Sequence, residues 1–149
     1  MYAITKLPTV RKPKKNKTEE HTLQENCMKY LNLKGWIPVR FNTTTMMSAT
    51  GIPYKSYLIY GLGMSSGLND IIAYKGDFHI KLEIKTEKGK LTENQMKVQN
   101  YFCVKGTNYY IVRSLKELQD IVDQYEIKIH LYKQALLNTT FNKIRNTSA

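Results

Sequence analysis

The chain has 149 residues, of which 42% are hydrophobic. That favours one domain with a core that needs no disulfide or metal staple. Twenty-three Lys and Arg against 12 Asp and Glu leave a net charge of +11. This favours an anionic partner, nucleic acid first and an acidic membrane surface second, over a protein that is merely basic. Cys27 and Cys103 form no paired motif, and His21, His79 and His130 are scattered without metal-ligand spacing. A zinc site is therefore disfavoured, and both cysteines read as small core residues of helices. The start has no apolar signal-peptide region, and no run of about 18 apolar residues exists to span a membrane. The expected location is the cytoplasm.

Residues 1–17 contain six Lys or Arg, two prolines and no acid. They read as a flexible basic arm, either a solvated tail or a segment that tracks phosphates through Arg11, Lys12, Lys14 and Lys15. Residues 18–149 read as a single domain, with a core over about 18–125 and a helical extension over 126–149. The first helix starts at Thr18 as cap, carries Glu19 and Glu20 in its first turn and stops at Gly35. Leu23, Cys27, Tyr30 and Leu31 share one face of it. A strand follows in which Ile37, Val39 and Phe41 alternate on one side, with Pro38 suggesting a sheet edge. Residues 43–66 are rich in Thr, Ser, Gly and Tyr and read as a long loop with a short strand near Tyr57 to Tyr60.

Residues 70–85 read as a β-hairpin turning at Lys75-Gly76-Asp77. Phe78, Ile80, Leu82 and Ile84 fall on one face of its second strand, and His79, Lys81, Glu83 and Lys85 on the other. The next helix has a capping box of Thr92 and Gln95 and a partly apolar stripe of Met96, Val98, Gln99, Phe102 and Cys103. A strand, Asn108 to Arg113, leads into a last helix capped by Ser114 and Glu117, with Leu118, Ile121, Val122 and Tyr125 inward. Helix extends to about Ile144.

Glu83 and Lys85 point the same way, about 7 Å apart along the strand. Pairing around the Gly76 turn sets Asp70 opposite roughly residue 83, so the two carboxylates converge at one end of the hairpin. Such a pair repels itself unless a cation lies between. Carboxylate, carbonyl and water ligands suit Mg²⁺ or Mn²⁺, and a neighbouring lysine can orient a water or stabilise phosphate charge. This is equipment for metal-assisted phosphodiester hydrolysis. Taken alone, an acid-x-Lys strand is more often an exposed face with an ion pair.

Context adds to it. The helix EHTLQENCMKYLNLKG, then GLND, then LEIKTEKGKLTENQ, then GTNYYIVRSLKEL, occur in order over about Glu20 to Ile121. This succession resembles the VRR-NUC family of the PD-(D/E)XK nuclease superfamily, and in particular its small stand-alone, phage-type members. The resemblance implies an α/β restriction-endonuclease-like core, αβββαβ(α), with a mixed central sheet flanked by helices. It implies Asp70 and Glu83 as ligands of Mg²⁺ or Mn²⁺, joined by the Ile84 backbone carbonyl. Lys85 would position or activate the water, and Gln95 would support the site, although a capping box also accounts for it. Glu20 would be the first-helix acid assisting the metal, with Glu19 and Glu25 as neighbours in register. Asn69 departs from the family, which commonly has proline before the site Asp.

The implied activity is metal-dependent, structure-selective cleavage of branched DNA, as by a Holliday-junction resolvase. Lys88, Lys90 and Lys97 are expected phosphate contacts. A homodimer is expected, since a symmetric junction needs two active sites. Tyr54 to Tyr60 and the C-terminal helix are the candidate interfaces. The alternative is a non-catalytic DNA-binding or assembly protein on the same scaffold.

Overall fold

A computed structural model describes residues 18–41, 46–54 and 58–147, and the side chains among these except at 46–47, 53–54 and 141–147. The basic arm, with Arg11, Lys12, Lys14 and Lys15, lies outside the described residues, as does Tyr57. Helix α1 (Glu19–Leu33) begins as expected, with the Thr18 hydroxyl accepting from the His21 amide at 3.3 Å. It ends in a Schellman turn. The Trp36 amide donates back to the Leu31 carbonyl and the Gly35 amide to that of Asn32, with Gly35 at φ 74°. The turn drives the Trp36 indole into the core, where it is 1% exposed.

Strand β1 (Ile37–Arg40) follows, then two short paired strands, β2 (Met46–Met47) and β3 (Pro53–Tyr54), and a 3₁₀ turn at Tyr60–Leu62. The short strand expected near Tyr57 to Tyr60 is thus replaced by pairing at 46–47 with 53–54. Ile59 only bridges Met64. Three glycines and a proline between Thr50 and Gly63 favour turns over a longer strand. Strands β4 (Ile71–Lys75) and β5 (Phe78–Ile84) form the expected hairpin, in register Ile71 with Leu82 and Lys75 with Phe78. Helix α2 (Glu93–Val104) crosses over to β6 (Tyr109–Val112), parallel to β5, and α3 (Leu115–Thr147) closes the chain as one unbroken helix.

The main sheet has the order β1-β4-β5-β6 and is mixed: antiparallel up to β5, parallel between β5 and β6. One face is the core. Ile71, Ala73, Ile80, Leu82, Ile84 and Val112 are buried there against Cys27 and Leu31 of α1 and Leu118, Val122, Tyr125 and Ile129 of α3. Side-chain alternation puts Ile80, Leu82 and Ile84 on this face, and it is the burial of these side chains that holds the hairpin flat against the helices. A polar tie locks the far end. Glu126 accepts from the Trp36 indole at 3.0 Å and from Lys75 Nζ at 2.6 Å, and Lys75 also donates to the Lys34 carbonyl.

The opposite face is partly covered. Among the described residues, helix α2 lies near β6 on this face. The apolar alternation of β1 points outward, with Ile37 67% exposed and Val39 40%. The α2 stripe is also narrower than its sequence suggests. Val98 is buried and Phe102 partly so, but Met96 and Cys103 are exposed. Cys103 is thus not a core residue, whereas Cys27 is.

Candidate active site

The partly covered face carries the acid and lysine positions of β5, and the site forms at that strand's C-terminal end. Asp70 directly precedes β4. Its amide donates to the Leu82 carbonyl at 3.0 Å, and its carbonyl accepts from Phe41 at 2.8 Å, so its backbone is pinned between two strands. The Asp70 carboxylate then accepts from the Ile84 amide at 2.8 Å. That bond aims it at the neighbouring Glu83. The segment before it is equally constrained. Gly67 has φ 82°, and a Cβ there would lie 2.7 Å from the Asn94 carbonyl carbon of α2. Asn69 is buried, and its amide donates to the Ile71 carbonyl at 2.8 Å. A proline at 69 would hold φ but make no such side-chain bond.

Glu83 is fully buried. Its Oε1 accepts from Lys85 Nζ at 2.9 Å and from the Gln95 amide nitrogen. Gln95 reaches it because the capping box fixes its side chain, its Oε1 accepting from the Thr92 amide. The capping role and the contact with Glu83 coexist in one residue. Lys85, still laddered to Val112 through its amide, also lies 3.9 Å from Glu20. Glu25 turns instead to His21 at 3.7 Å.

Burial, and then the Asp70 charge, push the Glu83 carboxyl up to about 7, against the pull of Lys85. Asp70 is raised too, mainly by burial and in spite of the Ile84 bond. Burial works against the charge on Lys85, but Glu83, Glu20 and Asp70 together outweigh it and hold the ammonium above its ordinary value. The structure therefore brings Asp70, Glu83, Lys85, Gln95 and Glu20 together. Lys88 and Lys90 lie on the loop after β5, both exposed. Lys97 sits on α2, paired with Glu93 at 2.6 Å.

Three neighbours carry no local sequence signal. Asn69 braces the turn before Asp70. Arg113 donates from one nitrogen to the Thr86 and Gly89 carbonyls, each at 2.7 Å, and so clips down the loop that carries Lys88 and Lys90. Tyr109, at the start of β6, is buried beneath α2 on the same face as Glu83.

The residues fit a hard divalent cation in one specific respect. Glu83 Oε2 is buried and has no hydrogen-bond partner, an arrangement that is costly for a carboxylate unless a cation uses it. Among the described residues no group of three or more His, Cys, Asp or Glu side chains forms a cage. Mg²⁺ does not require one, since it binds through one or two carboxylates and keeps several waters.

No family model matches the sequence, and no curated protein matches it. Among solved structures, a chain described as a VRR_NUC domain superposes with a TM-score of 0.53, over 73% of this chain and 99% of that one, at 19% identity. The chain has the fold of a VRR_NUC domain, and its mixed sheet flanked by helices is consistent with a PD-(D/E)XK-like core. Among the described residues no helix is long and apolar enough to cross a membrane.

Proposed function

We propose that the protein is a metal-dependent, structure-selective endonuclease that hydrolyses phosphodiester bonds in branched DNA, in the manner of a Holliday-junction resolvase. The observation that carries this reading is the convergence of Asp70 with the buried Glu83, one of whose carboxylate oxygens is unpartnered, and Lys85 alongside. A scaffold that only bound DNA would have no use for two buried carboxylates facing a polyanion. The fold supports the same reading, as does the net charge of +11.

Asp70 and Glu83 would hold Mg²⁺ or Mn²⁺, with the Ile84 carbonyl as a third donor and Glu20 near enough to act on its waters. Such an ion supplies Lewis-acid polarisation of the phosphoryl group and a more acidic water. The chain's own residues do the rest. Gln95 and Lys85 fix the rotation of the Glu83 carboxylate. Lys85, held as an ammonium by its acidic neighbours, presents positive charge and a hydrogen-bond donor to the attacking water or a phosphate oxygen. Lys88 and Lys90, on a loop anchored by Arg113, together with Lys97 and the arm residues Arg11, Lys12, Lys14 and Lys15, would contact phosphates and position the substrate. A homodimer would present two such sites to one junction. Helix α3 suits that role, because Leu131, Tyr132, Leu136 and Leu137 are exposed along it.

The test uses variants. Asp70→Ala and Glu83→Ala should each slow DNA cleavage by more than about a hundredfold while keeping the fold and most DNA binding. Lys85→Ala should slow cleavage with less effect on metal affinity. Undiminished cleavage by both carboxylate variants would defeat the assignment.

A further inference from the structure

The Tyr109 hydroxyl is buried and has no hydrogen-bond partner, and so is Glu83 Oε2. Two orphaned polar atoms on one face of the sheet are costly singly and complementary in kind, one a donor and the other an acceptor. Their elements hold them on the same side. Tyr109 pairs with Lys81 across the parallel β5–β6 ladder, so it shares a face with Lys81 and Glu83. Its ring is fixed by stacking on Phe102 of α2, with centroids 5.9 Å apart and planes 24° from parallel. Lys81 Nζ closes over that Phe102 ring from the strand side, 5.1 Å from its centroid.

We infer that Tyr109 is a positioning residue of the metal site: its hydroxyl, which makes no hydrogen bond in this structure, donates to Glu83 Oε2 when the site is loaded, leaving that oxygen a single free lone pair for the ion. The number of acceptor positions supports this. An ionised carboxylate offers about four. Lys85 and Gln95 take two on Oε1. Tyr109 would take a third, on Oε2, leaving the fourth for the ion. With three donors on it the carboxylate cannot rotate, and a ligand that cannot rotate binds its ion more tightly. The inference rests on the proposed metal-dependent function and adds a residue to it.

Tyr109→Phe removes the oxygen and keeps the ring on Phe102, so it separates the hydrogen bond from packing. Mn²⁺ affinity would be measured by titration calorimetry on the full chain, beside melting in EDTA and steady-state cleavage. The expected result is Mn²⁺ binding weakened about tenfold or more, with melting in EDTA unchanged or slightly higher. Cleavage should fall in kcat and recover partly at saturating Mn²⁺, with KM for DNA unmoved. Wild-type Mn²⁺ affinity in the variant overturns the inference, whether melting changes or not; earlier melting alone would make Tyr109 a packing residue. If wild type binds Mn²⁺ and cuts DNA but Tyr109→Phe equals it, only the role of Tyr109 fails. If wild type neither binds Mn²⁺ nor cuts, the functional reading fails and this inference falls with it.

Discussion

At the scale of single residues, Glu83 sets a tension between stability and function. Its carboxyl titrates near 4.5 when unfolded and at about 7 when folded, because it is buried beside Asp70. A raised acid contributes its stability at low pH, where both states hold the proton. That contribution is lost as pH rises through about 7, where the folded state must accept a buried charge. Taken to order of magnitude, the shift amounts to about 3 kcal/mol of destabilisation at alkaline pH. Glu83→Gln, measured by melting in EDTA, should therefore stabilise the metal-free protein at pH 8, by about 1–3 kcal/mol, and much less at pH 5. A lower melting temperature for Glu83→Gln at both pH values would contradict this. The approach of Asp70 to Glu83 was legible in the sequence because a two-residue turn at Gly76 leaves little freedom in hairpin register, and face alternation does the rest. Tyr109 was not legible. Its neighbour across the ladder is set by a parallel crossover through α2, and no local spacing encodes that register.

At the scale of elements, the site depends on how closely the Gly67–Asp70 segment packs on the start of α2. Ser66 accepts from the Asn94 side chain at 2.8 Å, and Gly67 faces the Asn94 backbone with no room for a Cβ. Both a positive φ and a close approach require glycine there. Gly67→Ala should cost about 1–3 kcal/mol in urea denaturation. It should also lower cleavage, because Asn94 adjoins Gln95 and Asp70 lies three residues on. Unchanged stability and activity would show that this junction is not tight. The helices and the hairpin could be read from caps, glycine stops and period. The exposed side of β1 could not, because alternation reveals that Ile37 and Val39 share a face but not whether a layer covers it. The same limit misplaced Cys103, one residue off the Val98–Phe102 line that touches the sheet. The clip by Arg113 depends on carbonyls 24 to 27 residues away, which no short motif records.

At the scale of the whole molecule, charge and helix length bear on the partner. Six of the Lys and Arg residues fall within residues 1–17. If they neutralise phosphates, deleting 1–17 should flatten the salt dependence of DNA binding by about 0.9 in log–log slope for each phosphate no longer neutralised. An unchanged slope would show that the arm touches no DNA. Helix α3 runs 33 residues, about 50 Å at the usual rise, and its apolar stripe continues past Ile129, the last residue in the core. Whether the molecule is a metal-dependent nuclease of branched DNA is decided by cleavage with the wild-type chain. The labelled panel would hold linear duplex, single strand, flap, splayed arm and four-way junction, each in Mg²⁺, Mn²⁺ and EDTA. Cuts that require the metal and favour a branched substrate over the linear duplex are expected. DNA that is bound but left uncut in every metal would contradict the proposed function.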